Sequence, residues 1–154
     1  MIYKDYIRVL YVDMEQEKIR IEERKDLTQY LGGVGVASRL LEENMREDLP
    51  ATAPEQPVIF AIGALTFTFP VMTKTVAMFL SPLTGELGET YAGGRFATML
   101  FSAGFDAVVI TGKAKRPTFL SINSYDVNFR DARSMWGTGS DRDIGRILRD
   151  LEPG

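Results

Sequence analysis

The residues of this chain best suited to holding a ligand are a lysine and two glycine-rich stretches. Lys74 opens the apolar run Lys74-Thr75-Val76-Ala77-Met78-Phe79-Leu80, at the point where a loop meets a strand. An ammonium there is either solvated or a point-charge partner for a phosphate or a cofactor edge. Gly93-Gly94 precedes a segment in which Phe96, Leu100, Phe101 and Ala103 recur at roughly helical spacing. A helix that starts after two glycines offers unpaired N–H groups to an anion. The plainer alternative is a helix that needs a tight approach. Gly32-Gly33-Val34-Gly35 leads into a second apolar stripe, Val36, Ala37, Leu40 and Leu41. It has neither G-x-G-x-x-G nor a G-K-[ST] ending, so its nucleotide signal is weak and close packing on a sheet explains it better. Lys113, Lys115 and Arg116 cluster in what reads as a basic, solvated hairpin turn.

The chain contains no cysteine and no histidine. It therefore cannot build a disulfide, a zinc–thiolate site or a cysteine-ligated iron–sulfur cluster from its own residues. Ser-His-Asp and Cys-His catalysis are excluded as well. What remains is carboxylate, Lys, Arg or Tyr chemistry, or a bound cofactor. The formal net charge of −3 argues against binding nucleic acid or a membrane surface through bulk charge. No apolar run reaches the length of a membrane span. The amino-terminal stretch carries charges through its apolar part, unlike a signal peptide, so a cytoplasmic setting is the default expectation. A length of 154 residues suits one domain spanning residues 1–154.

The elements that must position these residues follow from periodicity. Tyr6 to Val12, a polar turn at Asp13 to Gln16, and the alternating Lys18-Ile19-Arg20-Ile21-Glu22 predict a β-hairpin with one wet face. Asp26 is placed to cap a short helix through Leu31. The stripe from Val36 to Leu41 predicts an amphipathic helix with Arg39, Glu42, Glu43 and Arg46 outside. Pro50 to Pro57 reads as an extended connector. Val58 to Ile62 is a buried strand. Ala64 to Met72 is a loop of unusual hydrophobicity, in which Phe67, Phe69 and Met72 either mark an interaction surface or fold back into the core. Ser81-Pro82-Leu83-Thr84-Gly85 is a loop, Gly104 ends a helix in a left-handed residue, and Ala107 to Ile110 is a buried strand. Thr118 to Ile122 and Val127 to Arg130 are strands, with Trp136-Gly137 as a fixed apolar anchor before a turn. Ser140 to Asp143 resembles a capping box that starts an amphipathic helix through Leu151. Strands joined by tight turns predict α+β, mostly antiparallel β-sheets with a few short helices.

Several stretches occur in a recognisable order. They are Leu31 to Ala37, Pro57 to Thr66, Ser81 to Gly85, Gly93-Gly94 and Ser102 to Ala114, with Pro117 and Trp136-Gly137 in register. Together they resemble the N-terminal domain of the tungsten-containing aldehyde:ferredoxin oxidoreductase family, over nearly the whole chain. The resemblance implies a base of antiparallel sheets related by a pseudo-twofold. On it lies a bis-pterin cofactor whose dithiolene sulfurs hold tungsten or molybdenum. The protein then need not supply a metal ligand, which suits a chain without Cys or His. The resemblance also implies that a [4Fe-4S] cluster and the proton-handling side chains come from downstream domains, that this chain holds no catalytic residue, and that ferredoxin is the electron acceptor. The family's first domain extends beyond the length seen here, so the domain is expected to be incomplete at its C-terminal end. An apolar face left by the missing domains makes a homo-oligomer an expectation too.

Carried over position by position, the resemblance assigns Lys74 to a basic position, usually Arg, between a pterin and the cluster. Lysine keeps the charge and loses the planar fork. Tyr91 matches a position, often Asn, whose backbone carbonyl helps hold a Mg ion bridging the pterin phosphates. Ala92, Gly93 and Gly94 match the backbone that closes on the cofactor. Val34 stands where an arginine is frequent, Met72-Thr73 where small residues are, and Ala64 departs from the usual glycine-proline pairing. These changes describe a divergent member, whose substrate need not be an aldehyde. The alternative is a cofactor-free binding or scaffold module of the same fold.

Overall fold

A computed structural model describes residues 5–152. The chain opens with the expected hairpin, β1 (Ile7–Asp13) and β2 (Lys18–Arg24). A 3-10 turn, Asp26–Tyr30, leads into helix α1 (Gly33–Asn44). Strands β3 (Val58–Ile62), β4 (Thr75–Leu80) and β5 (Leu87–Ala92) follow, then the short helix α2 (Phe96–Ser102) and strand β6 (Ala107–Thr111). The hairpin β7 (Thr118–Ile122) and β8 (Val127–Asp131) precedes helix α3 (Asp141–Leu151).

Six strands form one sheet in the order β2-β1-β6-β3-β4-β5, and β7-β8 form a separate pair. Every neighbouring pair is antiparallel except β1 and β6, which run parallel. The α+β, mostly antiparallel expectation holds. The parallel pair comes from β6 entering the sheet between β1 and β3, and it removes the expected hairpin after β6. Gly112 to Arg116 instead leave the large sheet for the small one, and Gly112 N–H donates to Pro54 C=O at 2.7 Å. Lys113, Lys115 and Arg116 are exposed, as a solvated turn requires.

The sheet separates two apolar layers. Val36, Ala37, Leu40 and Leu41 of α1 pack on Val9, Ile59, Ala61, Val76, Met78 and Val109. On the other face Ala97 and Leu100 of α2 pack on Leu10, Val12, Ile62 and Val108, with Val127 of the hairpin alongside. The three-to-four spacing of α1 turns these four residues to one side, leaving Val34 exposed, and removing Leu40 would cost about 2–5 kcal/mol. Asp106, at the start of β6, is 1 % exposed. Its carboxylate accepts the Arg8 N–H at 2.8 Å, its own N–H donates to Arg8 C=O at 2.9 Å, and its C=O accepts the Ile62 N–H at 3.0 Å. One residue thus aligns β1, β6 and β3.

Four local expectations are corrected. Asp26 caps nothing, because Arg24 takes its carboxylate at 2.6 Å and also binds Glu43 and Tyr11. The stretch from Pro50 folds into successive turns, held by the buried Gln56, whose amide bonds the backbone of Arg46 and Leu49. Arg46 lies beyond the end of α1 and pairs with Asp48. Trp136 is 71 % exposed and anchors nothing, because the neighbouring Met135 and Ala132 fill the buried side. The capping box at Ser140 is present, with Asp143 as its return acceptor.

Candidate functional site

Register brings the sequence-selected residues to one end of the large sheet. Ile62 pairs with Thr75, and Thr75 pairs with Ala92. One step further along each strand, Gly63, Lys74 and Gly93 fall in a row. The lead-in to α1 closes on the same row. A side-chain carbon added at Gly32 would lie 3.0 Å from both Ala64 N and Ile62 O, and one at Gly33 would lie 3.8 Å from the Gly63 Cα. Gly32 therefore lets α1 approach the sheet, the packing role read from the sequence, whereas Gly33, at φ +54°, serves the left-handed backbone. At the other end of the row, the Lys74 Nζ lies 3.5 Å from where a side chain at Gly93 would begin. Gly94 takes φ +91° with open space around it, a conformation that favours glycine. The result is a bare backbone surface beside one exposed ammonium.

Tyr91 reaches this surface through its backbone. Ser81 N–H donates to Glu86 C=O at 2.8 Å. In an antiparallel ladder that bonded pair repeats every second residue. The backbone groups of Glu86, Gly88, Thr90 and Ala92 therefore turn toward β4, and those of Leu87, Glu89 and Tyr91 turn to the outer edge, where β5 has no strand neighbour among the described residues. The Tyr91 carbonyl is thus presented outward, next to Gly93. Its phenol is half-exposed, and its pKa is raised, first by partial desolvation and then by the Glu89 carboxylate. Ala92 brings a methyl group rather than a free backbone group.

The sequence did not disclose β5. Leu87-Gly88-Glu89-Thr90-Tyr91-Ala92 is an exposed edge strand with no buried residue, so no hydrophobic alternation marks it. Helix α2 has only seven residues. An anion beside it would rely on the glycine backbone and Lys74 more than on a helix dipole.

The loop from Ala64 to Met72 lies in the connection from β3 to β4 at this end of the sheet. Phe67, Phe69, Val71 and Met72 are exposed, Val71 at 87 %, so these side chains do not fold back into the core. Phe67 stacks on Phe101 of α2 at 5.4 Å. Phe67 (φ +66°) and Val71 (φ +65°) hold left-handed backbone, as does Leu31 (φ +65°) just before Gly32. Such strain in non-glycine residues persists only where surroundings impose it, and it concentrates at functional sites. Behind the loop, Phe60, Thr75, Ala77, Thr90, Tyr91, Ala92 and Phe96 line a hollow of about 260 Å³.

Among the described residues, no group of three or more Asp or Glu side chains could hold a metal ion. What the chain presents at this end of the sheet is the Lys74 ammonium, with Arg95 exposed directly after Gly94, an outward carbonyl and an uncrowded glycine pair. That set fits a planar, anionic cofactor that carries its metal on its own sulfurs. No helix among the described residues is long and apolar enough to cross a membrane.

Comparison with known proteins shows the family of the fold. Residues 9–152 match the aldehyde ferredoxin oxidoreductase N-terminal domain. A tungsten-containing aldehyde ferredoxin oxidoreductase of Pyrococcus furiosus is 33 % identical over 88 % of this chain and 23 % of its own length. The aliphatic sulfonate oxidoreductase WOR-like subunit of the same organism is 31 % identical over 94 % of this chain and 24 % of its own length. Among solved structures, the active-site complex BamBC of benzoyl coenzyme A reductase, with bound 1,5-dienoyl-CoA, superposes with a TM-score of 0.86 at 28 % identity. The match covers 94 % of this chain and 22 % of that one. The chain spans less than a quarter of the length of these relatives.

Proposed function

The chain belongs to the aldehyde ferredoxin oxidoreductase N-terminal domain family, and on that premise we propose that it is the base on which a tungsten (or molybdenum) bis-pterin cofactor rests in a larger oxidoreductase. The observation that carries this reading is the row at the sheet end, with the Lys74 Nζ beside Gly93 and the Tyr91 carbonyl turned outward from β5. When bound, the cofactor supplies two-electron chemistry at a carbonyl or related carbon. The chain itself binds and orients. Lys74 offsets the negative charge of a phosphate or a dithiolene. The Tyr91 carbonyl is a hard oxygen donor suited to the Mg ion that would bridge the pterin phosphates. Gly93 and Gly94 let a flat ligand approach the backbone.

In this reading, domains beyond the chain supply the [4Fe-4S] cluster and the proton-handling groups, and electrons pass to ferredoxin in the cytoplasm. The 154 residues alone are then an incomplete domain without activity. The substrate class is aldehydes or related carbonyl compounds. The test is metal and pterin analysis of the full-length protein purified without oxygen. Near-stoichiometric W or Mo, falling at least several-fold in Lys74→Ala, supports the reading, and a product lacking both metals and pterin removes it.

A second reading is favoured by the exposed Phe67, Phe69, Val71 and Met72. The fold would then have lost its cofactor, and the loop would meet a partner protein. In that case Lys74→Ala leaves metal content where it was.

A further inference from the structure

Strand β2 forms one edge of the large sheet and has no strand neighbour on its outer side among the described residues. It pairs with β1 without a bulge along all 7 of its residues, and it contains no proline. Such an edge is a template for a further strand. Backbone direction follows from β1. Arg8 C=O accepts the Asp106 N–H at 2.9 Å and Met14 N–H donates to Thr111 C=O at 2.8 Å, so the even-numbered residues of β1 turn toward β6. The odd-numbered ones turn toward β2, where Val9 faces Glu22 and Tyr11 faces Arg20. Arg20 and Glu22 are therefore bonded inward, and Ile19, Ile21 and Glu23 present their backbone groups at the outer edge. Side chains alternate as well. Arg20 and Glu22 stand on the α1 side, ion-paired with each other, with the Arg20 guanidinium 4.0 Å from the Tyr11 ring centroid. Ile19 and Ile21 stand on the opposite side, and both are exposed.

We propose that β2 is a dimerisation edge, which pairs with β2 of a second copy about a two-fold axis at Ile21 and joins the two large sheets into one. A strand that meets its own copy about a two-fold axis is antiparallel to it, and outward residues must oppose outward residues. The registers that satisfy this over most of the strand are centred on Arg20, Ile21 or Glu22. Centring on Arg20 sets two guanidinium groups against each other. Centring on Glu22 opposes two carboxylates, and also Arg20 and Arg24. Centring on Ile21 sets Arg20 opposite Glu22 at both symmetric positions. It also sets Ile21 opposite Ile21, with Ile19 diagonal to it, as a continuous apolar strip. The like-charge pair in this register, Lys18 opposite Arg24, is relieved because Arg24 already binds Asp26 and Glu43. The charge order of the strand thus selects one register with its own copy. This edge lies across the sheet from β5 and shares no residue with the cofactor surface, so the proposal does not rest on that reading.

The test is sedimentation equilibrium of the full-length protein. The wild type is expected to associate into an even number of copies. Arg20→Glu opposes carboxylates at both symmetric contacts and should weaken association at least about tenfold. Arg20→Glu/Glu22→Arg exchanges the charges and should bring the affinity back close to the wild-type value, which also shows that the substituted strand still folds. Ile21→Lys sets two ammonium groups at the axis and should dissociate the pair. The W or Mo content should be the same in every variant. A wild-type protein that is monomeric at tens of micromolar would overturn the proposal. So would an association state indifferent to Arg20→Glu and Ile21→Lys, the result expected if another part of the chain or a different protein covers β2. A double variant that associates no more tightly than Arg20→Glu would overturn the register and the proposal with it.

Discussion

Lys74 and Gly93 meet across the ends of β4 and β5, the ammonium 3.5 Å from the point where a Gly93 side chain would begin. That spacing is ordinary contact, so the fold itself tolerates a methyl group at Gly93. Gly94 differs, because its φ of +91° penalises any side chain although nothing crowds it. Gly93→Ala should leave the melting temperature nearly unchanged, whereas Gly94→Ala should lose about 1–3 kcal/mol. On the proposed function, both should lower bound metal in the full-length protein. Thermal melts paired with metal analysis separate the two effects. A Gly93→Ala variant with full metal content would show that the glycine serves only the turn.

Gly145 lies in the middle of α3, and a side chain added there meets nothing within 4 Å. Its backbone freedom is thus a cost to the helix with no packing gain. Gly145→Ala should stabilise the chain by about 0.5–1 kcal/mol. The melting temperature should rise by roughly 1–4 °C for a chain of this size. A fall would mean that α3 packs against something at this position.

Asp131 carries the clearest pH signature. Arg133 bonds its carboxylate through both side chain and backbone and holds its pKa down to about 2, from an ordinary 3.8. The folded value is depressed, so the pair's contribution is fully present above the ordinary value and is lost as pH falls through about 2. The pair is exposed and will weaken with salt. NMR titration of the Asp131 carboxyl should show a midpoint near 2, which moves back toward 3.8 in Arg133→Ala. An unchanged midpoint in that variant would assign the shift to another cause.

Local chemistry disclosed the elements with a regular apolar pattern. The alternation of Lys18 to Glu22, the α1 stripe and the run from Ala107 to Ile110 all appear as strands or helix where the periodicity puts them, although Ile19 and Ile21 of β2 stay exposed. It did not disclose β5, whose sequence carries no such pattern, or the placement of β6 beside β1. That placement depends on Asp106 bonding Arg8 across 98 residues of chain, and no local pattern carries a contact of that range. The site followed the same division. Lys74 and Gly93-Gly94 stood out by residue type, and family order added Tyr91. The outward turn of the Tyr91 carbonyl depends on strand register, which sequence type alone does not set.

The Asp106 contact gives a further prediction. Its carboxylate accepts a backbone N–H from β1 inside a site from which water is excluded. Asp106→Ala leaves the Arg8 N–H without that acceptor and opens a small void. The loss should be about 2–3 kcal/mol, the scale of a hydrogen bond to a charged group. Asp106→Asn retains one acceptor oxygen and should lose less. Denaturant melts of the two variants test the order. Equal losses would place the effect in the charge rather than in the acceptor.

The lead-in to α1 supplies the sharpest contrast among glycines. A methyl group at Gly32 would stand 3.0 Å from two backbone atoms, Ala64 N and Ile62 O, at φ +145°. A methyl group at Gly35 would stand 2.7 Å from Tyr30 O. Backbone cannot swing aside as a side chain can, so the change at Gly32 must push the start of α1 off the sheet end, and the change at Gly35 must push α1 away from the preceding 3-10 turn. Gly33 has φ +54° and its nearest neighbour at 3.8 Å, so it bears the left-handed penalty alone. Gly33→Ala should therefore lose about 1 kcal/mol, and Gly32→Ala and Gly35→Ala about 1–3 kcal/mol or more. The Gly63–Lys74–Gly93 row sits against this lead-in, so Gly32→Ala should also lower metal retention in the full-length protein, although residue 32 touches neither Lys74 nor Gly93. If Gly33→Ala proves the most damaging of the three, the glycines serve backbone conformation rather than close approach, and the coupling of α1 to the site end of the sheet is wrong.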